Sequence, residues 1–141
     1  MLRRSAVQVL GLLAIVALLG VLGCSAGTSA LEDTHWRLKT WTLNSLNPAD
    51  FTITAQFAGG RISGNSGVNS YGGPVKLGPG SAFSAGPLAS TLMAGPEPAM
   101  RAESAFTKLL GDAKSFKVSS GTLTLYDGGG NESLEFEAVG K

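Results

Sequence analysis

Thr122-Leu123-Thr124-Leu125-Tyr126-Asp127-Gly128-Gly129-Gly130-Asn131-Glu132-Ser133-Leu134-Glu135-Phe136-Glu137 is the stretch that decides the fold class. Leu123 and Leu125 alternate with Thr122 and Thr124, and Leu134 and Phe136 alternate with Glu135 and Glu137. Such period-two alternation puts one set of side chains on a core and the other in water, which marks half-buried strands. Between the two runs, Asp127 to Asn131 with its three glycines is hairpin chemistry. Strands joined by so short a loop are antiparallel. The sequence therefore predicts strands over 122–126 and 133–139, with another over 115–118 leading in.

Working upstream, residues 97–111 read as the one strong helix. Pro96 and Pro98 suit its first turn, Glu97 favours the positive end of its dipole, and Gly111 suits its exit. Met100, Ala102, Phe106, Leu109 and Leu110 gather on one side, away from Arg101, Glu103 and Lys108. Phe51, Ile53, Ala55 and Phe57 alternate with Thr52, Thr54 and Gln56, and Gly59-Gly60 turns this strand into Arg61-Ile62-Ser63. His35 to Leu43 carries Trp36, Leu38, Trp41 and Leu43, with a phase shift after Leu38 that predicts a bulge. A weaker strand around Val75 and Leu77 ends at Gly78-Pro79-Gly80, and a short one around Phe83 ends at Gly86-Pro87. No helix recurs between strands, so a parallel sheet is not expected. The expected class is α+β: a strongly bent antiparallel β-sheet, or a small cracked β-barrel, with one packed α-helix.

Two motifs stand within this frame: Arg61-Ile62-Ser63-Gly64-Asn65-Ser66-Gly67-Val68-Asn69-Ser70-Tyr71, and Leu88-Ala89-Ser90-Thr91-Leu92-Met93-Ala94-Gly95, followed by a helix with Met100 and Glu103. In this order, after a tryptophan-bearing first strand and a Phe-rich second one, they resemble the META-domain (HslJ-like) family of bacterial envelope proteins. The resemblance spans roughly residues 31–139. It implies an antiparallel, barrel-like sheet with one helix, and a role in partner binding or in envelope support under stress. It also implies that Gly64, Asn65, Ser66, Gly67, Asn69, Ser90, Thr91, Met93 and Glu103 are the family's motif positions. Many members carry cysteine where this chain has Val68 and Gly95. If those cysteines pair in relatives, packing here replaces a link worth about 2–4 kcal/mol, and no thiol-based function transfers.

Read on their own chemistry, the motif residues are structural. Gly64, Gly67, Gly72 and Gly73 punctuate strands. Asn65 and Asn69 hold turns through side-chain-to-backbone hydrogen bonds, and Ser90 and Thr91 do likewise before the helix. Met93 reads as a core filler. Phosphate cradling would need a helix directly after the glycine-rich loop, and strand-like sequence follows instead.

No catalytic, cofactor or metal site is expected. Gly64-Asn65-Ser66-Gly67 lacks the spacing of a nucleophile elbow. The single histidine, His35, reads as a strand-edge residue, and Glu135 and Glu137 as a solvated pair. One histidine and no spare thiol leave transition metals without ligands. Asp127 and Asn131 around the glycines do not have EF-hand spacing.

The N-terminus carries an address. Arg3 and Arg4 precede an apolar run from Val9 to Leu22, then Gly23 and the chain's only cysteine, Cys24. The run makes roughly 21 Å of helix at about 1.5 Å per residue, short of the about 30 Å hydrocarbon core. It therefore reads as a signal peptide rather than a permanent span. Val21-Leu22-Gly23-Cys24 resembles the lipobox of bacterial lipoproteins, which implies cleavage before Cys24 and acylation of it. Two or three acyl chains would anchor stably where one would not. The expected organisation is a cleaved signal over 1–23, a flexible tether over 24–30 and one folded domain over 31–141.

Loss of residues 1–23 from the 141 leaves 118 residues, with 9 bases against 10 acids once Arg3 and Arg4 are gone. A near-neutral chain without a basic cluster is not built for nucleic acid, whose binding rests on neutralised phosphates. The expectation is a monomeric, non-enzymatic envelope lipoprotein, held to the membrane by its N-terminal lipid and contacting an envelope protein partner. Ser25, not aspartate, follows Cys24, which favours the periplasmic face of the outer membrane in a two-membrane cell. In a single-membrane cell the chain faces outward from the plasma membrane. The alternative is a carrier of a small apolar molecule or lipid, in a sheet–helix cleft lined by Trp36, Phe57, Met93 and Phe106.

Overall fold

The computed structural model describes residues 30–43 and 45–140. The signal segment, Cys24 and the tether up to residue 29 lie outside the described residues.

The alternating stretches form nine strands and one helix. In chain order these are β1 (Thr34–Trp41), β2 (Thr54–Ala58), β3 (Arg61–Asn65), β4 (Ser70–Gly78), β5 (Ala82–Ala85), β6 (Ala89–Ser90), α1 (Glu97–Asp112), β7 (Ser115–Ser119), β8 (Thr122–Tyr126) and β9 (Glu132–Ala138). Every pairing is antiparallel. The hydrogen-bonded order β3-β2-β1-β9-β8-β7-β5-β4 closes on itself because β3 also pairs with β4. The result is an eight-stranded closed antiparallel barrel with one helix, the barrel alternative of the sequence expectation with its ring closed. Closure removes most sheet edges. β6 stays outside the ring as a short ninth strand on β4.

Local chemistry explains the turns. Gly59 and Gly60 both take positive φ (58° and 71°), as a type I′ turn between β2 and β3 requires. The β8–β9 hairpin is held by Asp127, whose Oδ1 accepts from the N–H groups of Gly129 (2.9 Å) and Asn131 (3.0 Å). The bulge expected after Leu38 appears as a register shift between Leu38 and Thr40 against β9. His35 lies within β1 opposite Gln56, and its carbonyl accepts from Val139 N–H.

Three readings need correction. The weak strand around Val75 begins earlier, at Ser70, so Gly72 and Gly73 lie inside β4 instead of ending strands. A β-carbon on Gly73 would sit 2.6 Å from the Pro87 carbonyl, so close crossing of another chain segment is its reason. The helix runs through Gly111 to Asp112, and Ala113 caps it with its N–H on the Leu110 carbonyl. Gly111 is thus a last-turn helical residue and not the exit.

The barrel interior is filled. Trp36, Leu38, Phe57, Ile62, Phe83, Phe116, Leu123, Leu125, Leu134 and Phe136 are buried, and α1 adds Ala102, Phe106 and Leu110. Phe106 stands edge-on to Tyr71 (ring centroids 5.4 Å apart) and to Phe136 (6.4 Å). Aromatic pairs of this kind add about 0.5–1.5 kcal/mol beyond the area they bury. The helix thereby packs against β4 and β9, and β5 and β7 share only one register position, Ala82 opposite Ser115. No helix among the described residues is long and apolar enough to cross a membrane.

Strand directions give the barrel two distinct ends. Leu31 and the turns at Gly59-Gly60 and Ser120-Gly121 lie at one end. The loop between β3 and β4 and the segment after β6 lie at the other. The chain therefore enters at the end opposite both motifs.

Candidate functional site

The two motifs and the helix meet at the end of the barrel away from the chain's entry. Gly64 closes β3 against the Thr54 backbone carbonyl, where a β-carbon would have no room. Asn65 then turns the chain: its N–H donates to Thr54 Oγ1 (3.0 Å) and its Oδ1 accepts from Gly67 N–H (2.9 Å). Gly67 has φ +122°, and a β-carbon there would lie 3.2 Å from the Ala99 carbonyl in the first turn of α1. The loop thus seats the helix.

Asn69 is the hub. Its Oδ1 accepts from Met93 N–H at 2.7 Å and from Thr91 Oγ1 at 2.9 Å. Its Nδ2 donates to the Met93 carbonyl at 3.1 Å and to Glu103 Oε2 at 3.0 Å. The carboxamide so imitates a strand residue, pairing with Met93 in both directions. Thr91 adds its own bonds: its N–H donates to the Ser70 carbonyl at 3.0 Å, and its Oγ1 accepts from Ser70 N–H at 3.2 Å.

Glu103 reaches down from α1 to complete the network. Ser66 Oγ lies 2.7 Å from Glu103 Oε1 and 2.9 Å from the Asn69 carbonyl, and its one proton serves either. Hydrogen bonds to a charged acceptor are worth about 1.5–3 kcal/mol each, because the carboxylate draws the proton more strongly than a neutral oxygen does. Beside the network, a β-carbon on Gly95 would stand 2.7 Å from Val68 Cγ2, so the valine fills the space above the glycine.

Tyr71, at the start of β4, donates its hydroxyl to the Thr54 carbonyl at 2.8 Å. Burial pushes its phenol well above the usual tyrosine range. Asp127 is displaced the other way, held below the ordinary carboxylate range chiefly by the backbone and side-chain hydrogen bonds of Asn131.

The structure brings Gly64, Asn65, Ser66, Gly67, Asn69, Thr91 and Glu103 into one contiguous cluster, with Ser90 on the edge of β6 beside it. Met93 corrects its reading as core filler. Only its backbone is used, and its side chain is 59% exposed beside Leu92 at 96%. The bonds from Asn69 fix the backbone and turn the side chain outward. The expected cleft does not form either. Trp36, Phe57 and Phe106 are packed in the core while Met93 lies outside it. A pocket of about 200 Å³ opens at the chain-entry end instead, lined by Leu31, Phe57, Val75 and Leu77 with Glu32 and Arg61.

The cluster's hydrogen bonds hold the segment around Met93 in position. Ser66 is 1% exposed and donates to oxygens already committed. Among the described residues, no three His, Cys, Asp or Glu side chains come together. Sequence reasoning missed the exposed pair Leu92-Met93 and the extended segment that carries it. The one available signal was Asn69, 24 residues from its partner Met93.

A family model described as META domain matches residues 29–140. Among solved structures, an NMR structure of a protein from Burkholderia xenovorans superposes with a TM-score of 0.66 at 28% identity, covering 82% of this chain and 88% of that one. A second NMR structure gives 0.55 at 19% identity, covering 77% and 92%. A crystal structure of a DUF4847-family protein from Bacteroides vulgatus gives 0.55 at 13%, covering 77% and 94%. The last two share the fold. No curated protein sequence matches the chain.

Proposed function

The chain belongs to the META-domain family, and on that premise we propose that it is a non-enzymatic envelope lipoprotein whose barrel presents a partner-binding surface. In this reading Cys24 carries the acyl chains, residues 24–30 act as tether, and the motif end points away from the bilayer. One observation carries it. Leu92 is 96% exposed and Met93 59% exposed, yet their backbone is fixed by Asn69 and Thr91. Solvent-facing apolar side chains on a fixed backbone add little to the core and lose less entropy on binding than a mobile loop, which is how a pre-organised contact gains affinity.

A photo-crosslinking residue at position 92, introduced in the native cell, tests the proposal. A reproducible envelope adduct at 92, absent when the same group stands at Lys39, is the expected result. No reproducible adduct counts against the interaction. Intact-mass measurement of the native product tests the anchor: residues 1–23 retained and no fatty acid attached would refute it.

The carrier reading keeps one supporting observation, the pocket of about 200 Å³ beside Leu31. Native mass spectrometry of protein taken from its own cells decides it, since bare protein without a bound apolar molecule removes this alternative.

A further inference from the structure

The segment from Ala89 to Met93 is an extended edge with one side unpaired. Ser90 lies opposite Tyr71 and Ala89 opposite Gly72 on β4, while Thr91 N–H bonds the Ser70 carbonyl. In an antiparallel ladder, bonded and non-bonded pairs alternate along the strands. Thr91 opposite Ser70 is bonded, so Ser90 opposite Tyr71 is the non-bonded pair and turns its own N–H and C=O away from β4. Asn69 carries the alternation one step further by bonding both backbone groups of Met93 through its carboxamide. Residues 89, 91 and 93 therefore bond inward, and 90 and 92 present N–H and C=O outward. This two-residue repeat is what an added strand requires.

The unpaired edge faces a groove of about 490 Å³. Ser90 and Leu92 line one wall, Met100, Ser104 and Thr107 of α1 line the other, and Glu103 lies between. The charges around it are unequal. Lys108 is tied to Asp112 at 2.6 Å and Arg101 sits 3.8 Å from Glu97. Glu103 is held only by the neutral donors Ser66 and Asn69, and among the described residues it has no cationic partner. The groove thus combines strand-pairing groups, an apolar wall and one uncompensated acid.

We propose that this groove binds an extended peptide segment of a partner protein, added as a strand along Ser90–Leu92. An apolar side chain of that segment packs against Leu92 and Met100, and a lysine or arginine two residues away sits over Glu103. The inference rests on the interaction reading above and names the partner's chemistry. It also gives the polar network a purpose: Asn69 lengthens the edge from one outward-facing residue to two, and Glu103 both braces Asn69 and attracts the cation.

A phage-displayed library of random heptapeptides, panned against the full chain held in detergent, supplies the probe. The expected consensus places a basic residue two positions from a large apolar one, on one face of a strand. A synthetic peptide of that consensus shifts amide resonances over 89–93 and the exposed side of α1. L92S and M100S each weaken it about tenfold, and E103Q removes the preference for the basic residue. N-methylation of the peptide at its pairing residues abolishes binding, which a merely sticky apolar contact would survive. Leu92 is solvent-exposed, so L92S keeps the test decisive even if E103Q disturbs the network. Peptides that map elsewhere, bind L92S unchanged or tolerate N-methylation overturn the groove. So does binding to phosphatidylethanolamine–phosphatidylglycerol vesicles that L92S abolishes, which would make Leu92 a lipid contact. An envelope adduct formed through another face, with the groove silent, overturns this inference alone and leaves the interaction reading standing.

Discussion

Val68 rests directly on the bare Cα of Gly95, so that a β-carbon built on the glycine would lie 3.4 Å from Val68 Cβ and 2.7 Å from Val68 Cγ2. The two positions at which the family resemblance implies cysteines are therefore neighbours in this barrel. Disulfides span Cβ separations of about 3.5–4.5 Å, so a small relaxation suffices for a bridge. V68C/G95C is expected to oxidise spontaneously in air, and to gain about 2–4 kcal/mol over its reduced form. Thiol counting and denaturant midpoints with and without reductant check this.

The same contact makes the single substitution harmful. G95A places a methyl group where Val68 already sits, and overpacking of this kind costs about 1–3 kcal/mol. V68A/G95A, which clears the space, is expected to recover part of that loss in a thermal melt.

Removing the hub has larger consequences. N69A strands Glu103 Oε2, Thr91 Oγ1 and both backbone groups of Met93, and an expected loss of about 2–4 kcal/mol follows from such orphaned partners. Hydrogen exchange localises the effect: protection falls at Met93 and in the first turns of α1 before it falls in β8. L92S, by contrast, is expected to stay within about 0.5 kcal/mol of the native protein, as substitutions at exposed positions usually do.

Tyr71 ties stability to alkaline pH. Burial raises its phenol above the ordinary range, so the folded barrel holds it neutral where the unfolded chain releases the proton. This contribution is fully present below the unfolded value, near 10, and is lost as pH rises beyond it. Urea midpoints are expected to fall from about pH 10 upward, less steeply in Y71F, while Y71F is weaker at neutral pH by about 1 kcal/mol through loss of the bond to Thr54.

Asp127 acts at the other end of the scale. Its carboxyl lies below the usual range because Asn131, Gly129 and Gly130 hydrogen-bond the charged form. Its contribution is present above the ordinary carboxylate range and is lost as pH falls through that range toward the lowered value. A carboxyl-carbon NMR titration is expected to find Asp127 below an unstructured aspartate, and N131A is expected to move it back up.

Much of the fold is visible before folding. Leu123, Leu125, Leu134 and Phe136 announce strands by alternation, and the helix stands out from Pro96 onward because its apolar residues recur at helical spacing. Even the bulge after Leu38 shows as a break in phase. The glycines were harder. Gly72 and Gly73 look like strand ends, yet both lie inside β4; Pro87 and Leu88 cross closely at Gly73, and no local pattern reports a crossing. Met93 was misread for a similar reason. Apolar character says that a side chain prefers burial, whereas its direction was set by two hydrogen bonds to a residue 24 positions away.

By itself the sequence determined every strand but β6, the single helix and the antiparallel sense of the sheet, because these depend on periodicity and turn chemistry within a few residues, while the motif residues followed from the family resemblance. Tertiary structure alone decided that β1 meets β9, that β5 meets β7 at a single position, and that Ser66, Asn69, Thr91 and Glu103 converge on one segment. Those outcomes depend on register between segments far apart in the chain. Register is fixed only when the whole barrel closes around its core.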